Sequence, residues 1–285
     1  MHVFHTTRAL RAFLDSQCGK RVGFVPTMGN LHAGHCQLVS LAKAQADIVV
    51  VSIFVNPLQF GANEDFGNYP RTLQVDCAQL EQVGADVVFA PAVEEMYPDF
   101  DGADLKQTVL VQPPPFADML CGASRPGHFA GVATVVTKLF HLVMPHLAVF
   151  GKKDYQQLLV IRALVRQLNF DIEIVAGETL REASGLAMSS RNGYLSADEK
   201  VQAAQLYAQL QQIKSALLAG ERDYVGITAK AVARLQQWGW QVDYVEIRAQ
   251  QDLSRPAPET RGCVVLAAAR LGNTRLIDNI EVLLD

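Results

Sequence analysis

The chain lacks a paired-cysteine pattern, a basic excess, an uninterrupted apolar run of membrane length and any internal repeat. Its five cysteines (Cys18, Cys36, Cys77, Cys121 and Cys263) are odd in number, scattered and never spaced Cys-x-x-Cys. That excludes a disulfide framework or a cysteine zinc site and fits reduced thiols in a cytosolic protein. A formal charge of −4 leaves no electrostatic footprint for a nucleic-acid partner. The longest apolar stretch, Gly131 to Phe150, is interrupted by Lys138, His141, Pro145 and His146. It reads as a buried helix followed by a strand, so no membrane partner is expected. Met1 to Arg11 is polar and lacks the apolar core of a signal peptide, which makes the cytoplasm the expected location. What the chain does have is 285 residues, 49% of them apolar and 19% charged, enough for a large core and two domains.

The first part alternates short apolar strands with helical patterns. Val22 to Val25, Ile48 to Val55, Val87 to Phe89, Leu147 to Phe150 and Ile172 to Val175 read as strands. Leu73 to Val83, Phe129 to Met144 and Tyr155 to Leu168 read as helices, stopped where Gly84 and Pro145 follow. Such alternation implies parallel βαβ units in a doubly wound α/β sheet. After Asn192-Gly193 the texture changes. Ser196 to Glu199 is a capping-box pattern opening a long helix that stops at Gly220, and a second helix spans about Ile227 to Trp238. Three strand-like runs follow: Val242 to Arg248, Val264 to Ala269 and Leu276 to Val282. Helices followed by clustered strands point to a smaller α+β domain, with the boundary in the string 178–190.

Chemistry concentrates where strands end. Val22 to Val25 runs into Pro26-Thr27-Met28-Gly29-Asn30-Leu31-His32-Ala33-Gly34-His35. The first N–H groups of a helix lack internal partners and carry the positive end of its dipole, so they attract anions. Imidazoles there can donate to phosphoryl oxygens, and Gly34 lets a flat base or ribose approach backbone. The His-x-Gly-His spacing after a strand is a signature of nucleotidyltransferases that act at the α-phosphate of a nucleoside triphosphate. The pair also suits plain helix-start residues; a metal site fits it less well, for want of a nearby acid or cysteine. Two more strand ends are polar, Asn56-Pro57-Leu58-Gln59-Phe60 and Gly151-Lys152-Lys153-Asp154. Met188-Ser189-Ser190-Arg191-Asn192 adds two hydroxyls and a guanidinium, a phosphate grip by composition. In a doubly wound sheet such loops converge on one crevice beyond the strand ends.

These segments, with Tyr69-Pro70-Arg71-Thr72, Gly127-His128-Phe129 and Lys153-Asp154-Tyr155-Gln156-Gln157, closely resemble the pantothenate synthetase (pantoate–β-alanine ligase) family. The resemblance runs from about Phe24 to the C-terminus. It implies a Rossmann-like nucleotide- and pantoate-binding domain over 1–180, a C-terminal lid domain over 181–285, and a homodimer. It also implies a two-step reaction using ATP and Mg²⁺: pantoate forms pantoyl adenylate and pyrophosphate, then the amine of β-alanine displaces AMP. The family pattern makes His35, His32 and Lys153 catalytic, with His35 the proton donor. It places ATP along Met28, Gly29, Asn30, Leu31, His32, Ala33, Gly34 and His35. Further ATP contacts fall at Gly151, Lys152, Lys153 and Asp154, at Leu180 through backbone, and at Met188, Ser189, Ser190 and Arg191. Asp154 suits the ribose. Gln59, Gln157 and Asn56 fall in the pantoate and β-alanine pocket, and no metal ligand is assigned. The family usually shows Gly-Glu-Lys-Asp where this chain has Gly151-Lys152-Lys153-Asp154. The chemistry agrees with these roles. A carboxylate is ionised at neutral pH, so adenylation needs donors and cations rather than a base. The amine in the second step must lose a proton, and no side chain stands out as its base.

Overall fold

The computed structural model describes residues 1–61, 66, 67, 69–100, 105 and 108–284. Six strands, β1 (His2–Phe4), β2 (Val22–Thr27), β3 (Ile48–Ile53), β4 (Val87–Phe89), β5 (Leu147–Gly151) and β6 (Glu173–Gly177), form one sheet. Their order is β1-β4-β3-β2-β5-β6, and every pairing is parallel. Helices α1 (Thr7–Asp15), α2 (Ala33–Lys43), α3 (Leu73–Gln82), α4 (Val93–Met96), α5 (Cys121–Ser124), α6 (His128–Val143) and α7 (Tyr155–Gln167) lie along this part of the chain.

Successive strand residues point to opposite faces, and here both faces are covered. Phe24, Ile48, Val50, Ala148 and Phe150 pack with Leu10 of α1, Val132 and Phe140 of α6 and Leu158 and Ile161 of α7. Their neighbours Val25, Val49, Val51, Leu147 and Val149 pack with Val39 and Ala42 of α2 and Leu80 of α3. The β-branched run in β3 is therefore buried twice over. From β2 the chain winds outward through β3 and β4, then returns to lay β5 on the other side of β2. The order reverses between β2 and β5, and the loops leaving those two strands open a crevice. This is a Rossmann-like sheet.

The rest is an antiparallel meander of β7 (Gln241–Ala249), β8 (Gly262–Leu271) and β9 (Thr274–Leu283), turned at Gly272 and Asn273. Helices α8 (Ala197–Leu218) and α9 (Tyr224–Gln237) bury Leu206, Leu210, Ile213, Ile227 and Leu235 against Val265, Ala267, Ala269 and Leu276. The capping box at Ser196 and Glu199 forms as its pattern implies. A patch of Leu120, Tyr155 and Leu159 meets Leu253, Val264 and Leu266, holding the two sheets' layers together. Ahead of α8, Arg181 makes two bonds to the buried carboxylate of Asp278 on β9, at 2.6 and 2.9 Å, and stacks over the Tyr207 ring. The sequence reading places the strands from β2 to β9 within a residue or two of these bounds. It does not place β1, α1, α4 or α5.

Candidate active site

The loop after β2 owes its shape to one buried acid. Gly29 and Asn30 both have positive φ, 82° and 51°. A Cβ at Gly29 would stand 3.0 Å from both Asp76 Oδ2 and Ile53 Cγ2, so glycine is required there twice over. Asp76, on α3, accepts from the N–H groups of Asn30 (3.0 Å) and Leu31 (2.9 Å) and from the Thr72 hydroxyl (3.1 Å). Leu31 is buried and His32 becomes the N-cap of α2.

The two histidines are fixed in one tautomer by donors that cannot accept. Gly34 N–H donates to His32 Nδ1 (3.1 Å), and His32 N–H donates to His35 Nδ1 (3.3 Å). A backbone N–H only donates, so each ring carries its proton on Nε2. The rings lie 4.1 Å apart between centroids. Burial lowers His32 from 6.5 to about 4, helped by the charge of Lys153 and opposed by Asp154. Burial, then His32, lowers His35 to about 3. Both are neutral Nε2–H donors at physiological pH.

One sequence expectation is corrected here. The α2 terminus is not an open anion cradle: Gly34 N–H is taken by the His32 ring and His35 N–H by His32 O (2.8 Å). Gly34 is also required by the cap itself, since a Cβ there would stand 2.8–2.9 Å from the His32 ring.

Beyond β5, residues 152–154 make one 3-10 turn into α7. Lys153, Asp154, Gln157, Ser189 and Arg191 line a cavity of about 550 Å³ that runs between the two parts of the chain. Among the described residues, neither Lys153 nor Arg191 has an acidic partner. Asn279, buried on β9, donates from Nδ2 to the carbonyls of Lys152 (2.9 Å) and Lys153 (2.8 Å), clamping the lysine's backbone. Lys152 places its side chain outside the lining of this cavity. Its ammonium turns to Glu178 (2.5 Å) and Glu281 (2.6 Å) and bridges toward β9. Asp154 is exposed at the cavity rim.

The string Met188 to Arg191 folds over the histidine loop. Ser190 Oγ donates to Asn30 O (3.0 Å), and Met188 Cβ lies 3.9 Å from where a Gly34 Cβ would stand. Ser189 caps the short turn by accepting from Arg191 N–H (3.2 Å), and Leu180 O accepts from Met188 N–H (2.9 Å). The Leu180 backbone is thus tied to the string.

At the end of β3, Pro57–Gln59 makes a 3-10 turn packed on α6. Gly131 makes this possible, because a Cβ there would stand 2.2 Å from Leu58 O. Asn56 is corrected from a ligand contact to a support. It is fully buried, and its amide is engaged by Leu58, Tyr97, Gln59 and Gly131. Among the described residues, Gln59 keeps its Nε2 free of partners, and Gln157 presents a half-buried, unpartnered carboxamide. Sequence reading left Arg125 and His128 without roles. Arg125 Nη2 (3.1 Å) and His128 Nδ1 (2.9 Å) both donate to the Gln59 carbonyl. The Gly127-His128-Phe129 motif was the available signal. No group of three His, Cys, Asp or Glu residues that could hold a metal occurs among the described residues.

A Rossmann-like sheet whose switch point carries paired neutral imidazoles and two cations without acidic partners among the described residues, packed beside a second, smaller sheet, defines an enzyme of the nucleotide-using kind. The family model for pantoate–β-alanine ligase matches residues 2–281. Pantothenate synthetase of Methylobacillus flagellatus is 58% identical over 273 residues, covering 96% of this chain and 95% of that protein. That of Thiobacillus denitrificans is 58% identical over 283 residues, covering 99% and 97%. The crystal structure of pantothenate synthetase from Thermus thermophilus superposes with a TM-score of 0.92 at 44% identity, covering 99% of this chain and 100% of that one. Pantoate–β-alanine ligase from Francisella tularensis, crystallised with β-γ ATP and β-alanine, gives a TM-score of 0.79 at 32% identity over 98% and 97%. The chain belongs to the pantoate–β-alanine ligase family and is an enzyme that forms pantothenate.

Proposed function

We propose that the reaction proceeds through a pantoyl adenylate. A pantoate carboxylate oxygen bonds to the α-phosphorus of ATP as the bond to pyrophosphate breaks. The β-alanine nitrogen then bonds to the acyl carbon, AMP leaves with the bridging oxygen, and the amine's proton passes to solvent. The observation that carries this is that Lys153 and Arg191, without acidic partners among the described residues, line one cavity, and that Lys153 lies close enough to the two Nε2–H imidazoles for its charge to lower their pKa values. Cations without acidic partners repel one another until an anion arrives, and a polyphosphate is the anion this cavity can hold. In this reading Met28 to His35, Gly151 to Asp154, Leu180 and Met188 to Arg191 surround ATP, with Asp154 at the ribose. Gln59 and Gln157 hold pantoate. Neutral amides suit an anion that must react with another anion, because they bind without binding equally tightly to phosphate.

Mg²⁺ would be held by the triphosphate rather than by a cage of protein side chains. The described residues form no all-protein cage, and Mg²⁺ commonly keeps water and substrate phosphates as ligands. Two further parts of the proposal are a homodimer and a cytoplasmic location. All five cysteines are unpaired, and no described helix is long and apolar enough to cross a membrane. The test is AMP release with pantoate and β-alanine supplied singly and together. Sustained release should need both; equal release with β-alanine alone would overturn the reading.

A further inference from the structure

The polarity of the Gln59 carboxamide is set by a relay that ends at Tyr97, a residue outside the cavity. The assignment follows from groups whose direction is fixed. Leu58 N–H can only donate, so the Asn56 atom 3.3 Å away is Oδ1. Gly131 O can only accept, so the Asn56 atom 3.1 Å away is Nδ2. The Gln59 atom 3.0 Å from that Nδ2 must then accept, and it is Oε1. Tyr97 Oη donates to Asn56 Oδ1 at 2.7 Å and fills its second lone pair. Both hydrogens and both lone pairs of the Asn56 amide are now used, and all four partners are in place.

Among the described residues, Gln59 is consequently left with its Nε2–H₂ unpartnered. Its carbonyl is meanwhile held by Arg125 and His128. Tyr97 is 1% exposed, between the Phe54 ring and the Lys138 ammonium, and its hydroxyl has no other partner among the described residues. With Leu58 N–H at 3.3 Å and Gly131 O at 3.1 Å, the hydroxyl makes the shortest of the three contacts that hold Asn56 in this orientation.

We propose that Tyr97 is a positioning residue: acting through Asn56, it locks Gln59 as a donor, so this end of the pocket selects an oxygen acceptor on the acid substrate. This inference rests on the reading that Gln59 meets pantoate. A carboxylate or hydroxyl oxygen is received, and a group offering only N–H is refused.

The test is pantoate-dependent ATP–pyrophosphate exchange by the whole enzyme with Tyr97→Phe and Asn56→Asp. Tyr97→Phe should raise the pantoate KM about tenfold, as expected for loosening one hydrogen bond to an anion. Its ATP KM and its melting-temperature gain on adding ATP should match wild type. In Asn56→Asp both side-chain oxygens accept, so Gln59 must turn Nε2 inward and offer Oε1 to an anion. Exchange should fall more than a hundredfold in kcat/KM for pantoate while the ATP-induced gain persists. If Asn56→Asp does not fold, Tyr97→Phe decides alone. An unchanged pantoate KM in Tyr97→Phe, or equal rises in both KM values, overturns the relay. Absence of pantoate-dependent exchange in wild type overturns the underlying reading instead.

Discussion

Replacing Asp76 by asparagine tests whether one buried carboxylate shapes the nucleotide loop. The side chain keeps its size, but one oxygen becomes an NH₂. Asp76 now accepts three bonds, two of them from adjacent backbone N–H groups at 2.9 and 3.0 Å. Asparagine can serve only one of those N–H groups and sets a donor against the other. Hydrogen bonds to a charged group contribute about 1.5–3 kcal/mol, and a buried donor left unmet costs about 1–3 kcal/mol. A loss of about 3 kcal/mol follows, or about 6 °C or more in melting temperature at about 2–4 °C per kcal/mol. Thermal melts of both proteins measure it, with and without ATP. Asn30 and His32 move with the loop, so the ATP-induced gain should shrink as well. Asp76→Asn melting like wild type with a full ATP response would refute the reasoning.

Lys153→Ala and Arg191→Lys should each slow pantoate-dependent exchange by about 10²–10³, the usual cost of removing a preorganised donor. Lysine lacks the planar fork of Arg191, and neither variant should melt lower than wild type, because neither cation has an acidic partner to lose among the described residues. Both histidines titrate lower in the fold than the ordinary 6.5, so the unfolded chain binds more protons from about pH 6.5 down to about 4. Stability should therefore fall as pH drops through that window, and His35→Gln should flatten the slope in melts between pH 4 and 7. Lys152→Glu would set three acids together at Glu178 and Glu281. These groups are partly exposed, so the loss should be about 1 kcal/mol or less and should shrink in 1 M salt, read by melts at two ionic strengths.

The doubly buried strands were legible because β-branched runs such as Ile48 to Ile53 have no polar face to hide. The edge was not. His2–Phe4 is three residues long, too short to show a period, and is a strand only because β4, more than eighty residues on, offers it a partner. The polar strand ends pointed to the crevice, yet residue type did not say which side chains would face it. Asn56 and Gln59 are three apart in one motif, and packing on Gly131 sends one amide inward while leaving the other a free donor. Lys152 and Lys153 look alike in sequence, but Glu178 and Glu281 draw only the first away. Asp76 reads as an ordinary polar position on a helix. Its role depends on a loop forty-five residues earlier folding onto it.

The adenylate step is tested most directly by following oxygen. Pantoate labelled with ¹⁸O in its carboxylate should give up one labelled oxygen to the phosphate of AMP as pantothenate forms. Attack at the α-phosphorus makes that oxygen the bridge which AMP carries away. Unlabelled AMP, or ¹⁸O appearing in inorganic phosphate or pyrophosphate, would contradict the account.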